Sequence, residues 1–355
     1  MLSPRILRGL IFILWLVTAA ANVLAQNSRA SSAASYLERG NSWMAKGEIE
    51  RAIADYDLAI AFDANAVAYY NRGLARQRKG DLAAAISDYN RAIELNPRHA
   101  EAYSGRGSIH YAQGQFDAAI NDFSQVIKIN PRDATAWSNR GSARGDQGNL
   151  AAAIADFDQA IKLDSRNAMA WGNRCGALYR QGALDPAIAD CDRALRLETQ
   201  NADAWNSRGL ARHGKGDLDG ALADFDRAIA LNPQQAAFYA NRGRAWLLKG
   251  EIERALSDLN RALRLDPKLA GAWSNRGVAW FAKRDFTPAI ADFDEALRLD
   301  PRLTDAYGNR GLARLMQGKL GEAEADFARC RALGGSLTHD AEQLLQEMKQ
   351  RRATR

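Results

Sequence analysis

The parts of this 355-residue sequence whose types and spacing bear on chemistry are three cysteines, four histidines and two long series of charged residues. Cys175 and Cys191 stand sixteen positions apart in NRCGALYRQGALDPAIADCDRALRL, residues 173–197. Copies of that stretch recur along the chain, and in each of them glycine replaces the first cysteine and a large apolar residue the second. His99, His110, His213 and His339 are scattered, without metal-ligand spacing or a shared partner. The sequence has no phosphate-binding glycine loop, nucleophile elbow or Cys/His metal cluster. It therefore offers no catalytic residue, no metal ligand and no cofactor motif, and a non-enzymatic function is expected.

Composition narrows the class further. At 47% hydrophobic residues the chain can bury a substantial core, and 28 glycines with 8 prolines fit neither a collagenous nor a low-complexity chain. The formal charge of +6 includes Arg5 and Arg8; the remainder is thinly spread, which gives no nucleic-acid footprint. The N-terminus, MLSPRILRGLIFILWLVTAAANVLAQ, has basic residues, an apolar run from Gly9 to Ala21 and small residues before Gln26. This is the grammar of a secretory signal peptide cleaved after Ala25, followed by a polar linker over 26–32. The apolar run is short for a bilayer span. An exported, periplasmic protein with no membrane insertion after cleavage is expected; the alternative is an uncleaved N-terminal anchor.

The chain that carries these residues reads as one unit used nine times. Units start at Ala33, Ala66, Ala100, Ala134, Ala168, Ala202, Ala236, Ala270 and Thr304, about every 34 residues, and end near residue 337. Apolar and small residues recur at helical spacing in two stretches of each unit. Glycine at position 15 separates the stretches in eight units, with Arg284 the exception, and proline at position 32 closes several of them. An aromatic residue at position 4, glycine at 8, alanine at 20, a large apolar residue at 24 and alanine at 27 complete the pattern. It resembles the tetratricopeptide repeat family over residues 33–337. The resemblance implies an all-α fold, a right-handed α-solenoid of helix-turn-helix repeats with a concave groove lined by the first helices. Residues 338–355 read as a capping helix, with Leu344, Leu345 and Met348 on one face, and a basic tail.

Two departures from the family pattern stand out. Position 7 is arginine in all nine units, from Arg39 to Arg310, and position 23 is aspartate in all nine, from Asp55 to Asp326. The double recurrence points to a pair across each hairpin, since a partly buried guanidinium needs a carboxylate. The second departure is the cysteine pair. In the repeat architecture that the resemblance implies, positions 8 and 24 face each other, so Cys175 and Cys191 are expected to form a disulfide in an oxidising compartment. Cys330, at a buried alanine position, reads as a core thiol.

The groove is where the resemblance places function. Position 6 is asparagine in six units (Asn71, Asn139, Asn173, Asn241, Asn275 and Asn309). An amide ladder can pair with the N–H and C=O groups of an extended chain. Leu247, Val278, Phe281, Leu312 and Leu315 are expected to line the apolar C-terminal end of the groove. Another protein, contributing an extended or helical polypeptide segment, is the expected partner. Carbohydrate binding in envelope polysaccharide assembly, with Tyr70, Tyr111 and Tyr179 as stacking platforms, is the alternative. End-to-end structural stacking is a third possibility, against which the polar tail argues. The basic residues of the family's carboxylate clamp are missing: Leu37, Glu101 and Gly105 stand at its positions.

Overall fold

The computed structural model describes residues 4–337 and 339–353, among which are nineteen α-helices and no strand. The chain divides into two compact units, residues 1–165 and 166–355. The first holds α1 (Pro4–Ala45), α2 (Ile49–Phe62), α3 (Ala66–Lys79), α4 (Leu82–Leu95), α5 (Ala100–Ala112), α6 (Phe116–Ile129), α7 (Ala134–Asp146) and α8 (Leu150–Leu163). The second opens with α9 (Ala168–Gln181), α10 (Leu184–Leu197), α11 (Ala202–Gly214), α12 (Leu218–Leu231) and α13 (Ala236–Leu248). It continues with α14 (Ile252–Leu265), α15 (Ala270–Ala282), α16 (Phe286–Leu299), α17 (Thr304–Met316), α18 (Leu320–Ala332) and α19 (His339–Ala353). Within each unit the helices pack as consecutive hairpins. The second helix of one hairpin also lies on the first helix of the next, and successive first helices touch each other. Each unit is thus an α-solenoid segment whose core runs along the stack.

Local chemistry fixes where the helices begin and turn. Asn65, Asp133, Asn167 and Asn201 cap first helices by accepting from the amides of Ala68, Ala136, Ala170 and Ala204. Asp81, Asn149 and Asp217 do the same for second helices. The hairpin turn takes a left-handed residue, which is why glycine recurs there. Arg284 adopts that conformation with φ 63° and is the one non-glycine residue that does so among those described.

Two terminal expectations meet a different structure, and a third is not tested. The linker expected over 26–32 is helical, because no glycine or proline interrupts residues 10–39 and α1 runs through them into the first hairpin. The signal-peptide reading falls largely on side chains outside those described, and no described helix is long and apolar enough to cross a membrane. The basic tail belongs to α19 as far as Ala353.

Positions 8 and 24 oppose each other closely across the hairpin. A Cβ on Gly141 would lie 2.8 Å from the Phe157 ring, and one on Gly277 2.7 Å from Phe293. Glycine is required because the ring occupies the volume of a side chain. Cys175 and Cys191 replace that pair with two fully buried medium residues, Cα atoms 5.4 Å apart, and their sulfurs are bonded. Cys330 is a buried free thiol whose pKa burial pushes up.

Gly277→Ala is expected to destabilise the protein by about 1–3 kcal/mol through overpacking against Phe293. Gly176→Ala, where the new methyl meets nothing within 4 Å, is expected to be neutral or slightly stabilising. Urea denaturation of both variants checks this.

Candidate binding surface

Each first helix is held at its centre by one charged fork. In all nine hairpins the position-7 arginine donates through Nε and Nη2 to both oxygens of the position-23 aspartate. The Nη2 bond measures 2.5–2.8 Å. The aspartates are buried, while the arginines keep partial water access. Each guanidinium also lies over the position-4 ring of its own helix, 4.6 Å from the centroid of Trp205 and 5.8 Å from that of Tyr239. At the exposed Arg39 end, the hydrogen bond from Arg39 holds the Asp55 carboxyl below its ordinary value.

The fork has a third arm, which the pairing of positions 7 and 23 alone does not reveal. Nη1 of Arg208 donates to Asp192, Arg242 to Asp226 and Arg310 to Asp294, at 2.6–2.7 Å; each acceptor sits at position 25 of the preceding hairpin. Arg72, Arg106, Arg140 and Arg276 reach Asp57, Asn90, Ser124 and Asn260 in the same way. The fork therefore sets the stacking of hairpins as well as the hairpin itself. A second ladder joins position 14 to position 18 of the hairpin before: Lys215 to Asp185, Lys249 to Asp219, Lys283 to Glu253 and Gln317 to Thr287. The signal that could have revealed both ladders is the recurrence of oxygen-bearing residues at positions 18 and 25.

With the first helices fixed in register, the position-6 asparagines share one register position and all are half-buried. They differ in what they bond. Asn71 donates to Asn41 Oδ1, which also accepts from the Tyr56 hydroxyl. These groups border a recess of about 220 Å3 lined also by Met44, Leu74 and Arg78. Asn241 donates to Asn206 at 2.8 Å, and Asn173 also has a partner. Asn139, Asn275 and Asn309 make no side-chain hydrogen bond among the described residues, which leaves their donors and acceptors available.

The apolar end differs from expectation at one residue. Leu315 is 1% exposed and belongs to the terminal core with Leu320, Phe327 and Leu345, because α19 lays Leu344, Leu345 and Met348 over it. Leu312 packs at the edge of the same cluster, and Leu247, Val278 and Phe281 are half-buried against the cores of their own hairpins. The large apolar groups that reach solvent on these first helices are Leu248 and Met316, one position further on.

Other singled-out residues are engaged internally. Tyr70 packs against His99 and Tyr89, and burial raises its pKa. The Tyr111 hydroxyl donates to Asp146 at 2.5 Å, and burial with that bond pushes the phenol up to about 12. Tyr179 is half-buried beside the cysteine pair. His110 bonds Gln115, and burial, with Arg244 nearby, lowers the pKa of His213.

A tetratricopeptide repeat family model matches residues 70–134, 106–145, 138–202, 192–236, 206–270, 249–303 and 281–336. The chain belongs to the tetratricopeptide repeat family. Its fold is similar to a chain of the APC/C hetero-tetramer Cut9-Hcn1, with TM-score 0.64 and 16% identity over 89% of this chain and 76% of that one. It is similar also to pilF of Pseudomonas aeruginosa, with TM-score 0.51 and 19% identity over 58% of this chain and 94% of that one. At these identities the likeness is one of fold. No curated protein matches the sequence. Tetratricopeptide repeat proteins are in general scaffolds that bind other proteins or peptides rather than enzymes.

Breaking one fork should cost more than an exposed ion pair, because a buried charge is stranded. Asp292→Ala is expected to destabilise by about 3 kcal/mol, and Arg276→Leu with Asp292→Ala by less than the sum of the two single changes. A double-mutant cycle in urea measures the coupling; additive effects would exclude the pairing as a stabilising unit.

Proposed function

We propose that this protein is an exported, non-enzymatic scaffold that holds an extended polypeptide segment of another envelope protein against its first helices. The observation that carries the proposal is the unspent hydrogen-bonding capacity of Asn275 and Asn309 on α15 and α17, beside Asn241 on α13. The three amides share a register position on successive first helices, and each offers both donor and acceptor groups to a peptide backbone. Leu248 and Met316 supply exposed apolar contacts nearby. The buried Cys175–Cys191 bond supports export, since such bonds persist in oxidising compartments, and it agrees with the signal-like N-terminus.

The test is photo-crosslinking and pull-down from native envelope, comparing wild type with the Asn241→Ala, Asn275→Ala, Asn309→Ala variant. The variant should keep its helical circular dichroism and lose a defined partner that wild type captures. Identical capture by both proteins would refute the amide ladder.

Export makes a separate prediction. Protein taken from its native source should show one alkylatable thiol after unfolding, that of Cys330, and three after reduction, by intact mass. Three without reduction would place the protein in a reducing compartment.

A further inference from the structure

Three helices of residues 166–355 carry arginines that nothing in the protein neutralises. α10 holds Arg193 and Arg196, α12 holds Arg227, and α14 holds Arg261 and Arg264. Arg196, Arg227 and Arg264 are exposed and the other two half-buried. None of the five makes an ion pair among the described residues; Arg261 rests over the Tyr239 ring.

The cause lies in how the carboxylates of these helices are used. Asp190, Asp224 and Asp258 are taken by the forks of Arg174, Arg208 and Arg242. The third arms of Arg208 and Arg242 take Asp192 and Asp226. Asp185, Asp219 and Glu253 are taken by Lys215, Lys249 and Lys283. Every carboxylate on α10, α12 and α14 is thus spent on a cation from another element.

On two other second helices, α4 and α16, the same register is closed within the helix. Arg91 pairs with Glu94 on α4 at 2.8 Å, and Arg298 with Glu295 on α16 at 2.5 Å. On α10 and α14 the residue three further on is a second arginine, and on α12 it is Ala230. Like charges at that spacing disfavour the isolated helix. The imbalance extends to the whole unit: residues 166–355 hold 30 Lys and Arg against 25 Asp and Glu, whereas residues 1–165 hold 18 against 17.

We propose that the face formed by α10, α12 and α14 binds an acidic polypeptide segment of a partner protein, independently of the asparagine ladder on the first helices. A guanidinium fork matches a carboxylate with two parallel hydrogen bonds. Nucleic acid fits less well, because the position-4 rings that would stack on bases already lie under arginines, and Trp205 and Trp273 donate their indole N–H to backbone carbonyls. A membrane surface fits less well too, since none of the exposed large hydrophobic residues lies on these three helices.

The experiment titrates the full chain into a dye-labelled extended peptide alternating Glu and Gly, read by fluorescence anisotropy at several salt concentrations. Binding should weaken steeply with salt. Arg196→Glu, Arg227→Glu, Arg264→Glu in one chain should weaken it at least about tenfold. The matching Lys variant should retain most of the affinity, and the triple asparagine variant all of it. A triple Arg→Ala variant serves if the Glu form fails to fold by circular dichroism. The proposal is overturned if no binding occurs at low salt, or if a folded charge-altered variant binds as wild type does. It is equally overturned if a single-stranded oligonucleotide or anionic vesicles bind more tightly than the peptide and lose binding in the same variant.

Discussion

The structure depends on a bidentate arginine–aspartate fork placed at the middle of every hairpin. An aspartate buried on a second helix would be untenable without a cation, and the arginine that satisfies it has three nitrogens to place. Two of them close the hairpin. The third reaches the hairpin before, so a single side chain fixes both the geometry within a repeat and the offset between repeats. A ring at position 4 supports the flat guanidinium from one side. Buried ion pairs roughly offset their own desolvation, so the effect of the fork is geometric. It removes alternative registers that an array of similar amphipathic helices would otherwise allow.

Close packing imposes a second rule, that a side chain at position 8 requires a smaller residue at position 24. A glycine accommodates a ring, or Leu259 in the hairpin of α13 and α14, and a side chain in its place would collide with it. The hairpin of α9 and α10 satisfies the same volume with two cysteines, and in doing so acquires a covalent tie at the first hairpin of its unit. The pair is sealed from solvent, which suits a structural bond better than a redox sensor.

These constraints separate the surface into two chemical faces. The first helices expend their position-7 arginines internally and leave amides and a few apolar side chains outward, a combination suited to reading a peptide backbone with little demand on its side chains. The second helices of the middle of residues 166–355 expend only their carboxylates, which leaves arginines outward. The same repeat thus leaves amides outward on its first helices and arginines outward on these second helices.

Much of this was legible in the sequence by itself. The 34-residue period, the helix pairs, the fork and the cysteine pair all rest on residues that recur at fixed positions, because each repeat solves the same local packing problem and repeats its solution. The terminal cap was equally plain, since an open stack end must be covered by apolar residues, and Leu344, Leu345 and Met348 were the ones available. What the tertiary structure decided lies between repeats, where the partner of a side chain belongs to another hairpin. That Leu315 is core rather than groove follows from the cover that α19 provides. That Asn71 is bonded while Asn275 is free depends on a neighbouring residue, Asn41, that the period does not dictate. Which arginines stay unneutralised depends on which cation each carboxylate meets across the stack. The sequence lists charges, but which of them meet is settled by how the hairpins stack.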